Sequence, residues 1–280
     1  MADKNRTLPR IAGQSGSKHS GELPEQGGSS GASATSATIA VYSVKGGVGK
    51  TTIAANLAWC SAALSGHSTL LWDLDASGGA GFLHGVDPRK SREVGDIFES
   101  DREPLRMVRK TDWPGLDVLP ADESIRSLDA RLLRIGKRKR LAKLSSALSA
   151  AYERIIIDCP PVLNELSAQI MRAADAVIVP LPPSPLSARA FELVVREVAE
   201  HGKRHPPILP VLSMLDMRRA LHREAKAANP AWPVIPYASA IEQCAVRQKP
   251  IGATAPASAA AQSFALLWQA IERKVAQRAG

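Results

Sequence analysis

Eight residues in the N-terminal third of the chain have the types and spacing to bind phosphate. Residues 45–52 read Lys-Gly-Gly-Val-Gly-Lys-Thr-Thr, after an apolar run at 39–44 and before a helical pattern that starts at Ile53. A glycine-rich turn between a strand and a helix offers backbone N–H groups to an anion, and the positive end of the helix dipole adds attraction. We expect Lys50 to reach the β- and γ-phosphates of a nucleotide and the Thr51 hydroxyl to bind Mg²⁺.

The whole loop is predicted to contact the nucleotide, through Lys45, Gly46, Gly47, Val48, Gly49, Lys50, Thr51 and Thr52. Its beginning departs from the usual P-loop, because Val44 stands where a glycine is expected and a second lysine, Lys45, follows it. A basic glycine-rich turn without a ligand is the alternative, but the strand–turn–helix setting favours a phosphate site.

Three aspartates stand at the ends of two further apolar runs. Asp73 and Asp75 close the run at 69–73, and Asp158 closes Arg-Ile-Ile-Ile-Asp at 154–158. Ligands of open parallel sheets bind at the carboxyl ends of strands, so these carboxylates are expected beside the loop. Simple strand-end capping is the alternative for Asp73 and Asp75.

The loop with its two lysines resembles the deviant Walker A motif of the ParA/MinD family of ATPases. Asp158-Cys159-Pro160-Pro161 is similar to the Walker B and switch II segment of that family. The resemblance covers roughly residues 38–275. It implies a homodimer formed on ATP, in which Lys45 of each subunit reaches the nucleotide of the other. It also implies ATP and Mg²⁺ as cofactors.

Asp73-Leu74-Asp75 resembles the family's switch I motif, although Ala76-Ser77 replaces the Pro-Gln that usually follows. By this resemblance Asp75 orients the attacking water, which is most of what a phosphoryl-transfer site must do. The implied catalytic residues are Lys45, Lys50 and Asp75. The implied metal residues are Thr51, Asp73 and Asp158.

Two later segments are similar to those that border the adenine in the family. They are Ser213-Met214-Leu215-Asp216-Met217-Arg218-Arg219 and Ile235-Pro236-Tyr237-Ala238-Ser239. The resemblance implies base contacts from Met214, Asp216 and Pro236.

Alternation of short apolar runs with helical patterns predicts the fold. The runs lie at 39–44, 69–73, 116–119, 154–158, 176–180 and 208–213. Continuous apolar runs are typical of buried parallel strands, so the pattern predicts an α/β fold: a doubly wound, mostly parallel sheet flanked by helices, as in P-loop NTPases, over 38–280. Residues 1–37 are rich in Gly, Ser, Ala and Thr, which predicts a disordered low-complexity tail.

Composition narrows the class of protein. No apolar run approaches the length of a membrane span, no secretory h-region is present, and the three cysteines are far apart. We therefore predict a cytoplasmic protein without a disulfide framework, a zinc site or an iron–sulfur cluster. The net charge of +9 and the pI of about 9.7 favour a polyanionic partner.

The resemblance implies non-specific DNA binding, hence nucleoid association, through basic residues of the C-terminal half. The candidates are Arg218, Arg219, Arg223, Lys226, Arg247 and Lys249. Such binding is lysine and arginine to phosphate and depends on salt. Solvated helix faces are the alternative, as they are for a second basic stretch at 131–143.

A membrane surface is the rival partner. Residues 264–278 place Phe264, Leu267, Trp268, Ile271 and Val275 at helical spacing. We expect this stripe to pack on the core and not on lipid, so membrane binding is not favoured.

The leading prediction is a ParA-like ATPase that positions or segregates cargo, a chromosome or plasmid locus or a protein cluster, and is reset by hydrolysis that an unidentified adaptor protein stimulates. The absence of a helix-turn-helix domain before the loop is typical of short, chromosomal-type or orphan members. The alternatives are a MinD-like membrane-surface ATPase and a low-turnover, nucleotide-dependent regulatory module. An amide-forming or cofactor-synthesis enzyme is disfavoured, since no second substrate constellation is evident.

Overall fold

A computed structural model describes residues 36–87, 93–99, 104–136, 139–200 and 205–279. The predicted tail at 1–37 therefore lies outside the described residues apart from its last two positions. Ala37 is the first residue of a strand and is buried, so the first strand starts one residue before the predicted boundary at 38.

One eight-stranded sheet forms the centre of the molecule. Its strands are β1 (Ala37–Val41), β2 (Thr69–Asp73), β3 (Arg109–Lys110), β4 (Leu116–Leu119), β5 (Arg154–Asp158), β6 (Ala176–Pro180), β7 (Ile208–Leu215) and β8 (Val234–Pro236). Their order is β3-β4-β2-β5-β1-β6-β7-β8, and only the β3–β4 pair is antiparallel. The predicted mostly parallel, doubly wound sheet is confirmed.

All six apolar runs of the sequence correspond to strands, and four of them agree to the residue. The first run was expected to continue to residue 44, whereas β1 ends at Val41. Two strands were not predicted, β3 and β8, because they have two and three residues and show too little periodicity.

Helices cover both faces of the sheet. They are α1 (Lys50–Ser65), α2 (Gly79–Phe82), α3 (Asp96–Glu99), α4 (Leu128–Ile135), α5 (Arg140–Leu148), α6 (Glu165–Ala173), α7 (Pro185–Glu200), α8 (Ala220–Ala228), α9 (Ser239–Arg247), α10 (Ile251–Thr254) and α11 (Ala259–Ala279). Single 3₁₀ turns lie at Pro104–Met107 and Glu123–Ser127.

The two faces of the sheet bury separate cores. In β5, Ile155 and Ile157 pack with the helices α4 to α7, while Ile156 packs on the other face with α1 and α11. This division follows from the alternation of side chains along a strand. Apolar residues are needed at every position because both faces are covered, which explains the unbroken Ile-Ile-Ile run.

The C-terminal helix α11 packs on the core as expected. Phe264, Leu267, Trp268 and Ile271 are buried against α1 and its neighbours. Trp268 Nε1 also donates a hydrogen bond to Ser65 Oγ at 2.8 Å. Within the described ranges, no helix has both the length and the apolar character that a bilayer span requires.

Three arginines of the basic stretch at 131–143 have structural contacts. Arg131 lies 3.1 Å from a carboxylate oxygen of Glu93, and Arg134 lies 2.6 Å from one of Glu99. Arg140 is buried and donates to the carbonyl of Ile97 at 2.7 Å. These arginines hold α3 against α4 and α5. Lys137 and Arg138 lie outside the described residues.

Candidate functional site

The phosphate loop leaves the carboxyl end of β1 and enters α1. Gly47 and Gly49 have φ of +69° and +92°, in the left-handed region that side chains disfavour. Glycine at these two positions lets the chain turn back so that α1 can begin at Lys50. The first N–H groups of a helix have no partner within the helix, so the end of α1 is directed at the space in front of the loop.

The two lysines of the loop differ in their surroundings. Lys50 is buried, its Nζ donates to the carbonyl of Lys45 at 3.2 Å, and burial lowers its pKa. The carboxylates of Asp158 and Asp75 oppose that shift. An anionic ligand would favour the charged ammonium further. Lys45 is half-buried, and its Nζ lies 3.4 Å from Ser187 Oγ.

Two of the predicted aspartates end neighbouring strands side by side. β2 and β5 are parallel, and Asp73 is in register with Asp158. Asp158 is also in register with Val41, the last residue of β1 before the loop. The sheet therefore brings Asp73, Asp158 and the loop to one edge, as expected from their positions at strand ends.

The carboxylate of Asp158 is buried and without a hydrogen bond. Neither of its oxygens has a hydrogen-bond partner among the described residues. Burial raises its pKa well above the ordinary value, the charge of Asp73 adds to this, and the nearby Thr51 hydroxyl opposes it without reaching hydrogen-bond geometry. A buried, unpaired carboxylate is costly, and a divalent cation would satisfy it.

The residues present fit a hydrated Mg²⁺ shared with phosphates. Thr51 and Asp158 supply hard oxygen atoms, the kind that Mg²⁺ prefers. Among the described residues, no three His, Cys, Asp or Glu side chains form a cluster that could hold a metal alone. Phosphate and water oxygens would have to complete the shell, which is usual for nucleotide-bound Mg²⁺.

Asp73 has a structural contact on each oxygen. Oδ1 accepts from the backbone N–H of Asp75 at 3.0 Å, and Oδ2 accepts from those of Ala80 and Gly81 at 2.9 and 3.3 Å. Burial raises its pKa to about 7 despite these bonds. Asp73 thus fixes the turn before α2, and its place in the metal shell stays a prediction.

Asp75 remains accessible at the edge of the site. Its Oδ1 accepts from the N–H of Ser77 at 3.0 Å, and its carbonyl accepts from Gly78, which has φ of +66°. The Ala76-Ser77 departure from the family motif is therefore accommodated in a tight turn. The second carboxylate oxygen of Asp75 accepts no hydrogen bond from a described residue, so it can accept one from water.

An apolar pocket beside the loop is suited to a nucleotide base. It is lined by Val48, Gly49, Thr52, Ile53, Leu83, Ser213, Met214, Ile235, Pro236, Tyr237, Ala238, Ile241, Glu242, Ala245 and Phe264. A shift in the β7–β8 register accompanies an unusual backbone at Met214, whose φ is +52°. A residue in this conformation is strained, and such strain is found at ligand sites. Met214 and Pro236 line this pocket, and their contact with a base stays a prediction.

Asp216 does not line this pocket. Arg218 donates to both of its oxygens, from Nε at 2.8 Å and from Nη2 at 3.0 Å, and these bonds lower the pKa of Asp216 to about 2. Its backbone N–H donates to Nδ1 of His222 at 3.0 Å. A base contact by Asp216 would require a rearranged carboxylate and stays a prediction.

Several contacts of the site were not predicted, although Ser213 and Tyr237 lie in the two segments that resemble adenine-bordering ones. Ser213 Oγ donates to the carbonyl of Val48 at 3.0 Å and ties β7 to the loop. Tyr237 Oη donates to a carboxylate oxygen of Glu242 at 2.9 Å at the rim of the base pocket. Single serines and a rim pair give no pattern in a sequence. Ser187, the contact of Lys45, was missed for the same reason.

The six candidate DNA residues divide into two groups. Arg223 donates to the carbonyls of Met217 and Arg218, and Lys226 donates to those of Pro230 and Trp232, so with the paired Arg218 they hold local backbone. The other three are exposed, and among the described residues no ion pair involves their side chains: Arg219, Arg247 and Lys249.

His84 links the turn after α2 to the helix of the phosphate loop and should affect stability with pH. It is buried, its Nε2 lies 3.2 Å from the carbonyl of Ala55, and burial lowers its pKa from 6.5 to about 4. Between these two pKa values His84 is protonated in the unfolded chain and neutral in the folded chain. The contribution of neutral His84 to folding stability is therefore present above pH 6.5 and is lost toward pH 4.

We therefore expect the stability advantage of the wild type over His84→Gln to shrink on acidification. Denaturant unfolding should show the difference in unfolding free energy falling by roughly 2 kcal/mol from about pH 7 to about pH 4.5. Subtracting the variant removes the contributions of other groups, Asp73 included. If the difference in unfolding free energy stays constant with pH, His84 takes up its proton as readily in the folded protein as in the unfolded chain.

Comparisons with known proteins show relatives over most of the chain. A family model described as an AAA domain matches residues 36–209, more than half of the chain. The chromosome partitioning protein ParA of Caulobacter vibrioides is 34% identical over 194 residues, which are 66% of this chain and 72% of that protein. The sporulation initiation inhibitor protein Soj of Bacillus subtilis is 35% identical over 189 residues, 65% of this chain and 74% of Soj.

The fold is similar to that of solved structures. Cobyrinic acid a,c-diamide synthase from Mycobacterium smegmatis, crystallised with an ATP analog and magnesium, superposes with a TM-score of 0.72 at 27% identity, covering 85% of this chain and 95% of that one. We combine these matches with the two-lysine loop and the aspartates at the strand ends, and conclude that this chain belongs to the ParA family of P-loop ATPases.

Proposed function

We propose that this protein is a Mg²⁺-dependent ATPase that dimerises on ATP, binds DNA without sequence preference in that state, and positions or segregates a cargo until hydrolysis resets it. The observation that carries the proposal is the buried, unbonded carboxylate of Asp158 beside the two-lysine loop. Buried polar groups in folded proteins are nearly always hydrogen-bonded, so an unbonded buried carboxylate indicates a site for a ligand.

Different residues of the site would bind the phosphates, hold the metal and orient the attacking water. Loop N–H groups and Lys50 bind the phosphates, and Thr51 with Asp158 would hold Mg²⁺, which neutralises charge on the phosphate oxygens. Asp75 orients a water molecule toward the γ-phosphate through its accessible oxygen. Positioning and charge stabilisation are sufficient for this chemistry, since phosphoryl transfer needs little covalent help from the protein.

A second copy of the chain is the proposed partner across the nucleotide. Lys45 is bound by a hydroxyl only, and among the described residues no ion pair involves it. Two exposed leucines are chain neighbours of residues that contact this part of the molecule. Leu163 follows Val162, whose carbonyl accepts from Tyr42 Oη at 2.6 Å, and Leu186 precedes Ser187, the contact of Lys45. A dimer would bury these side chains and place a cation against the other subunit's phosphates.

DNA binding is proposed for the exposed Arg219, Arg247 and Lys249, which supply phosphate contacts without base readout. Nucleoid association in the cytoplasm would follow from this binding. The test is retention of the full chain on non-specific DNA with ATP, ADP or no nucleotide, at about 50 and about 200 mM salt. We expect retention that needs ATP and falls at the higher salt.

Charge reversal should separate the two groups of basic residues. Arg219→Glu combined with Arg247→Glu is expected to weaken DNA retention by at least about tenfold, because two phosphate contacts become repulsive. Arg218→Ala is the matched control, since its guanidinium is already paired with Asp216, and we expect an effect below about threefold. ATP affinity should stay unchanged in both variants. Equal losses in variant and control would place the DNA surface elsewhere.

Failure of DNA binding in every nucleotide state would contradict this part of the proposal and leave the ATPase assignment standing. Vesicles of anionic phospholipid are then the next surface to test, although α11 buries its apolar stripe in the core. The cargo and the adaptor protein that would stimulate hydrolysis are to be found by their effect on turnover.

A further inference from the structure

The lysine that would cross to a partner subunit is held in its own subunit. Lys45 Nζ lies 3.4 Å from Ser187 Oγ, and we refer to this as the cis contact. Ser187 is buried, with 1% of its surface exposed, in the first turn of α7. Its hydroxyl therefore faces the loop and not solvent, and it belongs to no element that the phosphate-binding motif defines.

Ser187 is fixed by the start of its helix. Ser184 Oγ accepts from the Ser187 N–H at 3.1 Å, and the two hydroxyl oxygens are 2.8 Å apart. Pro185 begins α7, a position where its missing N–H is no loss. When Lys45 leaves, the two hydroxyls can still bond to each other, so release leaves no buried polar group without a partner.

The cis contact is weak by construction. A distance of 3.4 Å is long for a hydrogen bond from an ammonium, and the ammonium lies at the helix end that carries positive partial charge. Phosphate oxygens would attract it more strongly than a hydroxyl does. The contact can therefore hold Lys45 in the free monomer and still yield when a second nucleotide-bound subunit arrives.

We infer that Ser187 is a positioning residue that holds Lys45 in cis and so sets how tightly the ATP-bound protein dimerises. The inference rests on the proposed function, because it requires that Lys45 act on a partner subunit. Its specific claim is that dimerisation competes with the cis contact. Weakening that contact must then favour the dimer, and strengthening it must oppose the dimer.

The test measures the dimer dissociation constant of the full chain by analytical ultracentrifugation with a non-hydrolysable ATP analogue and Mg²⁺. Ser187→Ala should tighten the dimer about two- to fivefold, the effect of one weak hydrogen bond. Ser187→Asp should weaken it at least about tenfold, because a carboxylate there would pair with Lys45. An acidic residue is favourable in the first turn of a helix, so α7 should tolerate it.

A double-mutant cycle separates positioning from a structural effect. In a Lys45→Ala background, Ser187→Ala should leave the dissociation constant unchanged, because no cis contact remains to be broken. Affinity for a fluorescent ATP analogue should not change on adding Ser187→Ala to either background. A merely structural serine would change the dimer equally with and without Lys45.

Two results would overturn the inference, and they can be told apart. If the wild type dimerises on the analogue but Ser187→Ala has no effect, or the same effect in both backgrounds, Ser187 does not control Lys45. If the wild type stays monomeric with the analogue at every concentration, the proposed dimer itself is wrong, and the inference fails with it.

Discussion

Lys50→Ala is expected to abolish ATP binding, with at least about a 100-fold loss of affinity, the effect of removing two or more charge-assisted hydrogen bonds. Lys50 is the buried lysine at the start of α1, and burial lowers its pKa. The protein therefore keeps this cation at a cost that an anionic ligand relieves. Titration of a fluorescent ATP analogue measures the effect.

Lys45→Ala is the matched control, because it removes the other lysine of the same loop. We expect it to keep ATP affinity within about threefold, since its ammonium contacts Ser187 of α7, whereas Lys50 lies at the start of α1. Circular dichroism should show both variants folded. Equal loss of affinity in the two variants would mean that both lysines serve the nucleotide of their own subunit.

Asp158→Asn is expected to make the nucleotide-free protein more stable while lowering Mg²⁺-dependent turnover by about 100-fold or more. The raised pKa of Asp158 means that its stability contribution is complete below the ordinary carboxyl pKa and is lost as pH rises. At neutral pH the buried carboxyl group is therefore destabilising, and a neutral amide should raise the unfolding free energy by about 1–3 kcal/mol.

When Mg²⁺ and ATP are present, the wild type should recover the unfolding free energy by which it falls short of Asp158→Asn. Mg²⁺ with ATP stabilises a protein that binds it, and the variant lacks the carboxylate that would hold the metal. Thermal melts with and without Mg²⁺ and ATP, beside a turnover assay, check both halves. A variant that is less stable without ligand, or that hydrolyses ATP normally, would contradict the assignment of Asp158.

The fold was predictable because its signals are local. Asp158 ends a run of three isoleucines, which are buried on both faces of the sheet. The unbroken apolar run therefore indicated a buried parallel strand. The loop glycines Gly47 and Gly49 indicate a turn, because their positive φ angles are unfavourable for other residues. The edge strands β3 and β8 carry no such signal, since an edge strand of two or three residues is defined by its neighbour.

The side-chain contacts of the site were less predictable. Asp73 was expected with the metal, yet three backbone N–H groups occupy its oxygens, and the turn that supplies them is not visible in the sequence. Asp216 was expected at the base, yet Arg218 two residues later pairs with it. Strand-end position predicts which edge a residue reaches, whereas its partner depends on loops whose path only the structure gives.

The most direct test of the account is a complementation assay in which two inactive variants are mixed. Lys45→Ala lacks the lysine that would cross, and Asp75→Ala lacks the carboxylate that orients water while keeping ATP binding. Each alone should lose turnover by about 100-fold or more. In a mixed dimer, the Lys45→Ala subunit keeps Asp75 and receives Lys45 from its partner, which completes one site.

At concentrations at which both variants are fully dimeric, an equal mixture should therefore recover about a quarter of wild-type turnover, because half of randomly assembled dimers are mixed and each holds one complete site. Recovery should grow with total protein concentration and disappear when Lys45→Ala is mixed with itself. If the mixture stays as inactive as its components while each still binds ATP, Lys45 acts within its own subunit, and the proposed switch is wrong.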